Sequence, residues 1–266
     1  MTRSSIGFGL VCLFTLTACG GGGGGGTTSS TASTSGTPSD FDFGSNSPLR
    51  ATAFGDSITR GVLGNDVITS NNYPNVLQSM LRGLDSGWRV VNRGVGGERT
   101  FEGLRRLPGV LSADRPGYVL IMEGTNDADE GDDPAATVAN LESMVNLAQQ
   151  NRSIPIIGTI PPNFRNDPGA QARINTANGM IRALAQSRRI ALAEIFNGMN
   201  DRSLFGSPER GIEDPLHPNE RGYSVMAGIW FEALRRAFPA APPPAPPSTA
   251  GGNTGQTGVG QRAKSR

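Results

Sequence analysis

The fold of this chain follows from one eight-residue segment, Phe54-Gly55-Asp56-Ser57-Ile58-Thr59-Arg60-Gly61. The apolar run at residues 49–54, which leads into it, has the length and composition of a β-strand. Serine, threonine and a second glycine then favour a tight turn. A serine at such a corner lies at the carboxyl end of a strand, where open α/β sheets bind their ligands. Ser57 therefore has the position of a nucleophile, although Gly-Asp-Ser taken alone is also a common surface turn.

Outward from this segment, strand and helix patterns alternate along the chain. The predicted strands cover residues 49–54, 88–92, 118–122, 154–159 and 190–193. The predicted helices begin near Pro74, Phe101, Pro134, Pro168 and Asn219, and Pro108 is expected to kink or end the second of them. This alternation predicts an α/β fold, a three-layer αβα sandwich with a five-stranded parallel sheet of the flavodoxin-like kind. The loops after the strands then gather Ser57, Gly97 and Asn126 at one edge.

The N-terminus predicts export from the cell. Arg3 supplies a short positive region, and the apolar run at residues 6–16 is shorter than the ~20 residues that span a bilayer. The run ends in Leu16-Thr17-Ala18-Cys19, which resembles the bacterial lipobox with its lipidated cysteine. An ordinary secretory signal with an incidental Cys19 is the alternative.

The predicted organisation is therefore a lipoprotein signal peptide, a tether, one domain and a tail. The signal covers residues 1–18, and the Gly/Ser/Thr-rich tether covers residues 19–46. One domain follows at residues 47–238, and residues 239–266 form a Pro/Gly-rich tail that is expected to be disordered. Cys19 would anchor the domain to a membrane of the bacterial cell envelope, on the periplasmic or the cell-surface side, with inner or outer membrane left open.

Composition excludes several classes of function. The chain has two cysteines, and both precede the predicted domain, so the domain has no disulfide and no cysteine-based metal or redox site. The formal net charge is +1, and no basic stretch is interleaved with aromatic residues, which argues against nucleic acid as a partner. We expect a monomer without a cofactor.

One histidine, His217, is available to activate Ser57, because it is the only histidine in the chain. Asp214 precedes it by three residues, so its carboxylate can reach the imidazole Nδ1 within one turn. That contact would fix the tautomer and leave Nε2 to take the serine proton. The alternative is that the His-Pro pair only packs the turn before the last helix.

Four separated segments together resemble the four sequence blocks of the SGNH hydrolase superfamily, the GDSL esterases and lipases. They extend in order over residues 49–219, which is nearly the whole predicted domain. The segments are Gly55-Asp56-Ser57, residues 92–97, Gly124-Thr125-Asn126-Asp127 and Asp214-Pro215-Leu216-His217. The resemblance implies the SGNH hydrolase fold and a serine ester hydrolase that works through an acyl-enzyme without a metal.

The resemblance also implies the site residues. Ser57, Asp214 and His217 correspond to the catalytic triad. The oxyanion hole would consist of the backbone N–H groups of Ser57 and Gly97 and the side-chain amide of Asn126. Gly94 is the second choice for the glycine donor. We interpret Asp56 as structural, because it precedes the nucleophile and can hold the turn through local hydrogen bonds.

The family's substrates are carboxylic esters, thioesters and acetyl groups on carbohydrates, so the partner is a small-molecule or glycan ester. Val62, Leu63, Pro162 and Phe164 are candidates to line a small acyl pocket, or they pack the loops instead. No lid domain is evident, which favours short acyl or acetyl esters. The alternatives on the same site are an O-acetyltransferase and a carbohydrate deacetylase, and a further one is a non-catalytic cell-surface binding protein.

Two motifs resemble other kinds of site. The acidic run at residues 127–133 suggests calcium, but Gly131 falls one place early for an EF-hand and Val138 stands where the bidentate glutamate belongs. A solvated acidic loop is the preferred interpretation, and no metal site is predicted. The glycines at 94, 96 and 97 do not match a dinucleotide fingerprint, because the third is misplaced and no helix begins there.

Overall fold

The computed structural model describes residues 41–238. The predicted signal peptide, the lipidated Cys19 and the C-terminal tail lie outside the described residues and stay predictions. The end of the predicted tether packs on the domain: the Phe43 ring centre is 5.7 Å from that of Tyr118, and the Asn46 amide donates to the Asn151 carbonyl at 2.6 Å. The domain therefore begins a few residues before the predicted boundary at residue 47.

Five parallel strands form the central sheet, in the order β4-β1-β5-β6-β7. The strands are β1 (Ser47–Gly55), β2 (Val62–Gly64), β3 (Val67–Ile68), β4 (Arg89–Gly94), β5 (Pro116–Met122), β6 (Ile154–Gly158) and β7 (Ala191–Ala193). The helices are α1 (Ser57–Arg60), α2 (Tyr73–Arg82), α3 (Thr100–Asp114), α4 (Thr125–Glu130), α5 (Pro134–Gln150), α6 (Pro168–Arg188), α7 (Ile195–Gly198) and α8 (Glu220–Ala237). The predicted five-stranded parallel sheet is confirmed, and the antiparallel pair β2–β3 adds a small hairpin that the sequence analysis missed.

Both faces of the sheet are covered by helices, which gives the predicted three layers. Every residue of β5 is buried, and its side chains alternate between two apolar clusters. Leu120 and Met122 belong to the cluster with α2 and α8, whereas Val119 and Ile121 belong to the cluster with α3, α5 and α6. A strand buried on both faces reads as a continuous apolar run, which is why this strand was clear in the sequence.

Side-chain caps fix where three of the long helices begin. Asp133, Asp167 and Asn219 each accept a hydrogen bond from a backbone N–H in the first turn of α5, α6 and α8, respectively. Such a cap satisfies one of the N–H groups that have no partner inside the helix. The cap at Asn219 matters most for the site, because it fixes the chain just after His217.

Pro108 was predicted to kink or end the second helix, and it does not end it, because α3 continues to Asp114. A proline inside a helix removes one hydrogen bond and crowds the preceding turn. Leu107 and Leu111, on either side of it, are buried against the sheet, while Pro108 itself is exposed. Burial of this apolar face outweighs the local cost, since most helical stability in proteins comes from packing.

Candidate active site

The turn that carries Ser57 depends on its two preceding residues. A Cβ atom at Gly55 would lie 2.3 Å from the Met122 carbonyl oxygen, so only glycine fits between β1 and β5. Asp56 caps the short helix α1, because its Oδ1 accepts from the Ile58 N–H at 2.9 Å. These contacts fit the structural role predicted for Asp56, and they set Ser57 at the first position of the helix.

The Asp56 carboxyl is a buried charge beneath this turn. Burial raises its pKa to about 6, although the hydrogen bond from Ile58 and the nearby His217 oppose that rise. The same carboxyl therefore changes its protonation state in the weakly acidic range. Its cap can be made by either form, because a protonated carboxyl still has an acceptor oxygen.

The structure brings Ser57, His217 and Asp214 into one hydrogen-bonded line. The Ser57 Oγ atom lies 2.9 Å from His217 Nε2, and His217 Nδ1 lies 2.8 Å from Asp214 Oδ2. Because an ionised carboxylate can only accept, Nδ1 carries the proton and Nε2 accepts from the serine hydroxyl. Ser57 reaches this line from the end of β1, and the other two come from the loop before α8.

Hydrogen bonds keep Asp214 ionised. Its Oδ1 accepts from the backbone N–H groups of Leu216 at 2.7 Å and His217 at 2.8 Å, while Oδ2 takes the imidazole. Partial burial raises the pKa of Asp214, but these hydrogen bonds outweigh burial and lower the pKa to about 2. Asp214 thus fixes the orientation of the imidazole, because it binds both the ring and the backbone N–H of His217.

The two further residues predicted for the oxyanion hole line the same cleft as Ser57. Gly97 has a φ of +75°, in the left-handed region, and no atom lies within 4 Å of a Cβ placed there, so its surroundings are open. The Asn126 amide donates one N–H to the Glu98 carbonyl at 2.8 Å, which leaves its second N–H for a ligand.

Gly94, the second choice for the glycine donor, lies in a different position. Its N–H already donates to Asn92 Oδ1 at 2.9 Å, and it does not line the cleft. A Cβ atom at Gly94 would meet the Arg60 nitrogen at 2.1 Å, so glycine is required there for the close approach of β4 to α1. The geometry favours Gly97 over Gly94.

The cleft around Ser57 has a volume of about 470 Å³ and is mostly polar. Its lining residues are Ser57, Arg60, Val62, Asn65, Asp66, Gly96, Gly97, Asn126, Arg165, Asp214, Leu216 and His217. The polar rim at residues 60, 65, 66 and 165 was not predicted from the sequence. Arg60 could have been predicted as a site residue, because it lies in the same sequence block as Ser57. The residues of the β2–β3 turn could not, since that hairpin was missed.

The predicted apolar acyl pocket is largely wrong. Of its four candidates, Val62 alone lines the cleft. Leu63 is fully buried in the core, Pro162 is buried, and the Phe164 ring packs edge-on against Phe205 with 5.0 Å between centres. These three side chains support loops from below, because burial of their apolar surface is more favourable than exposure in an open, polar cleft.

The acidic run is only in part the solvated loop that was expected: Glu130 and Asp133 are exposed, whereas two of the other acids make specific contacts. Asp127 is buried in α4 and accepts from the Thr100 N–H at 2.9 Å, and Asp129 pairs with Arg165 at 2.5 Å. The acids therefore hold α3 and the loop after β6 against α4. Within residues 41–238, no cluster of three histidine, cysteine or acidic side chains could hold a metal ion.

Comparison with known proteins gives consistent relatives. The sequence model of the GDSL-like lipase/acylhydrolase family matches residues 53–225. Esterase TesA of Pseudomonas aeruginosa is 33% identical over 144 residues, which cover 53% of this chain and 68% of that protein. The uncharacterized lipoprotein YqeF of Bacillus subtilis is 33% identical over 119 residues, which cover 41% of this chain and 47% of that protein.

The fold agrees with solved structures. The crystal structure of TesA aligns with a TM-score of 0.60 at 24% identity, and the alignment covers 71% of this chain and 99% of that one. At this identity the likeness describes the fold, which is the predicted αβα sandwich. Among the helices of residues 41–238, none is both long and apolar enough to cross a membrane.

Proposed function

The chain belongs to the GDSL-like lipase/acylhydrolase family, as its four sequence blocks predicted, and from this premise we propose that it hydrolyses carboxylic esters through an acyl-enzyme on Ser57. The observation that carries the proposal is the line of two short hydrogen bonds from Ser57 through His217 to Asp214, at 2.9 and 2.8 Å. Hydrogen-bond reach between nucleophile and base, with the base oriented by a third group, is the signature of an activated serine.

In the first half of the reaction, Ser57 Oγ attacks the carbonyl carbon of the ester while His217 Nε2 takes the hydroxyl proton. Asp214, held ionised, stabilises the imidazolium that forms. The negative oxygen of the tetrahedral intermediate receives hydrogen bonds from the N–H groups of Ser57 and Gly97 and from the Asn126 amide. The intermediate then collapses, and His217 returns the proton to the departing alcohol oxygen, which leaves the acyl group on Ser57.

In the second half, water takes the place of the alcohol. His217 Nε2 removes a proton from the water molecule as its oxygen attacks the acyl-enzyme carbonyl, and the same donors stabilise the second oxyanion. Collapse releases the carboxylic acid and returns the proton to Ser57 Oγ. Each oxyanion donor is worth about 3 kcal/mol of transition-state stabilisation, because it is aimed at charge that develops only there.

The polar, open cleft supports short acyl groups. Val62 and Leu216 are the apolar side chains that line it, and they offer little surface for a long hydrocarbon chain. Burying each methylene group of an acyl chain gains about 0.8 kcal/mol, so a site without an apolar channel gains little from a longer chain. We therefore propose acetyl or other short acyl esters as substrates.

A specific observation favours a second candidate, a carbohydrate deacetylase. The rim holds Arg60, Asn65, Asp66 and Arg165, which together offer donors and acceptors for the hydroxyl groups of a sugar. An O-acetyltransferase would use the same acyl-enzyme and pass the acetyl group to a sugar hydroxyl instead of water.

Hydrolysis of p-nitrophenyl esters from acetyl to decanoyl tests the proposal. The full-length chain is compared with Ser57→Ala and His217→Ala, and kcat/KM is expected to fall about 10³-fold or more in both variants. We expect the highest kcat/KM at acetyl or butyryl. Turnover that survives in Ser57→Ala would contradict the acyl-enzyme.

Acetylated sugars separate the candidates. Release of acetate from an acetylated oligosaccharide with little turnover of simple esters favours the deacetylase. Appearance of the acetyl group on an added sugar acceptor identifies the transferase. If neither the esters nor the sugars are turned over, the non-catalytic binding protein becomes the better interpretation.

We also propose that the protein is exported and anchored by lipid at Cys19. The support is the lipobox-like segment Leu16-Thr17-Ala18-Cys19, together with the similarity to a protein that is itself named a lipoprotein. The anchor would hold the esterase at a membrane surface of the cell envelope, where its substrate would be an extracytoplasmic ester.

A further inference from the structure

Near the cleft lie three ionisable side chains that the proposed mechanism does not use. Glu98 directly follows Gly97, Arg106 lies on α3, and Glu123 directly follows β5. The two glutamates are 6% and 1% exposed. Burying a carboxyl group is costly unless it is paired or neutral, so this group of three needs a physical reason.

Arg106 fixes the Glu98 side chain. Its Nε donates to Glu98 Oε1 at 2.7 Å, and its Nη2 donates to Oε2 at 2.5 Å. The same Nη2 also donates to the Arg93 carbonyl at 3.0 Å, and the guanidinium lies 4.1 Å from the centre of the Phe54 ring. A two-pronged arginine–carboxylate contact holds both side chains in one geometry. Glu98 is therefore tied to α3, β4 and β1.

Glu123, just after β5, is a close electrostatic neighbour of Glu98. Within residues 41–238, neither of its carboxyl oxygens has a hydrogen-bond partner, and a Cβ atom at Gly103 would lie 2.4 Å from both. Burial first, and then Glu98 and the charge of Asp56, raise the pKa of Glu123 well above its usual range, while Arg106 opposes this. Burial thus favours the neutral form of Glu123, which avoids a second buried negative charge beside Glu98.

The main chain of Glu98 connects this group to the cleft. Its carbonyl oxygen accepts a hydrogen bond from the Asn126 side-chain amide at 2.8 Å. Its N–H belongs to the peptide bond that joins it to Gly97. One residue therefore controls the position of two proposed oxyanion donors. We propose that Glu98 is a positioning residue of the oxyanion hole, held by Arg106 so that Gly97 and Asn126 point at the same oxygen. This inference rests on the proposed function.

Variants of Glu98 and of its partner Arg106 test the proposal. In Glu98→Gln and Arg106→Gln, we expect kcat for p-nitrophenyl acetate to fall about tenfold to a hundredfold with KM within about twofold, because misplaced donors weaken binding of the transition state more than binding of the ester. Arg105→Gln is the matched control, since Arg105 is exposed one position earlier on the same helix. Arg106→Lys, which keeps the charge without the two-pronged contact, carries the test if Glu98→Gln does not fold.

A double-mutant cycle distinguishes positioning from general destabilisation. Glu98→Gln should cost much less kcat in an Asn126→Ala background than in the wild type, because part of its effect passes through the Asn126 amide. Independent, multiplying effects in the cycle would overturn the inference, as would full kcat in both Glu98→Gln and Arg106→Gln.

The failure of this inference and the failure of the proposed function remain distinguishable. If Ser57→Ala is inactive while the Glu98 and Arg106 variants keep full kcat, the esterase stands and the positioning role is wrong. If Ser57→Ala keeps the wild-type turnover, the proposed function itself is wrong.

Discussion

At the scale of single residues, Asn126 divides its amide between two tasks. One N–H donates to the Glu98 carbonyl and fixes the side chain, and the other is left for the substrate oxygen. We expect Asn126→Ala to lower kcat for p-nitrophenyl acetate by about 10²- to 10³-fold, with a small change in KM, because the lost donor acts on the oxyanion. Steady-state kinetics measure both constants. A rise in KM at unchanged kcat would instead assign Asn126 to ground-state binding.

Asp56 gives a prediction on pH. Its pKa is about 6 in the fold, against an ordinary value of 3.8, so the folded state binds the proton more tightly than the unfolded state. The stabilisation is present below pH 3.8 and is lost as the pH rises through about 6. Asp56→Asn, which stays neutral, should gain in free energy of unfolding relative to the wild type from pH 4 to 7, by up to about 3 kcal/mol.

Urea unfolding at several pH values measures this difference. Asp66→Asn is the matched control, because it makes the same chemical change at an exposed position. A difference between Asp56→Asn and the wild type that stays constant from pH 4 to 7 would show that the pKa of Asp56 is the same in the folded and unfolded states.

The residues of the site differ in how far the sequence could predict them. Ser57 and His217 could be predicted from the sequence, because a serine in a tight turn and a single histidine near an aspartate are patterns that indicate catalytic chemistry. Leu63 and Phe164 could not, because an apolar residue in a loop has the same pattern whether it lines a cleft or packs beneath it. The hydrogen bond from Asn126 to the Glu98 carbonyl joins the loops that follow two different strands, so no local sequence pattern predicts it.

At the scale of elements, one residue of α3 lowers the stability of the helix, and a substitution can remove this effect. Pro108 is exposed in the middle of the helix and has no N–H for the Leu104 carbonyl. We expect Pro108→Ala to raise the free energy of unfolding by about 1 to 3 kcal/mol, because it restores that hydrogen bond and relieves the crowding. Thermal or urea unfolding measures the gain.

Gly109 offers a comparison on the same turn of the helix. No atom lies within 4 Å of a Cβ placed there, so Gly109→Ala should stabilise the protein by about 1 kcal/mol through helix propensity alone. A larger gain from Gly109→Ala than from Pro108→Ala would mean that α3 has already adapted its geometry to the proline.

The elements also show which patterns carry information. The five strands of the sheet were predictable because each contains a short apolar stretch that alternates along the chain with helical patterns, although β1 and β4 also carry arginines. The β2–β3 hairpin was missed, since strands of three and two residues have no period to detect. Pro108 favoured a helix end in the sequence, but a helix-breaking residue does not report on the buried apolar face that holds α3 in place.

At the scale of the whole molecule, the parallel topology explains why the site forms where it does. Strands β1, β4 and β5 lie side by side and end at the same edge, so the residues that follow them, Ser57, Gly97 and Asn126, meet there. The loop before α8 then brings His217 to the same edge, held by the Asn219 cap. This gathering was predictable from the alternation of strands and helices, whereas the polar rim depends on loops and was not.

The last prediction concerns where the whole protein resides. If Cys19 carries lipid, the wild-type chain expressed in a bacterial host should fractionate with membranes and enter the detergent phase of a Triton X-114 extraction. Cys19→Ser should move it to the soluble extracytoplasmic fraction with unchanged esterase kinetics, because the substitution leaves residues 41–238 intact. Two or three acyl chains anchor stably, where a single chain binds only marginally, so the shift should be nearly complete.

Cys12→Ser is the matched control, since Cys12 is the other cysteine of the chain and lies within the predicted signal peptide. It should leave the membrane fraction unchanged if Cys19 alone is lipidated. A Cys19→Ser protein that stays in the membrane fraction with its N-terminus uncleaved would assign the attachment to the apolar run at residues 6–16. Release of the wild type and both variants into the soluble fraction would identify an ordinary secretory signal instead.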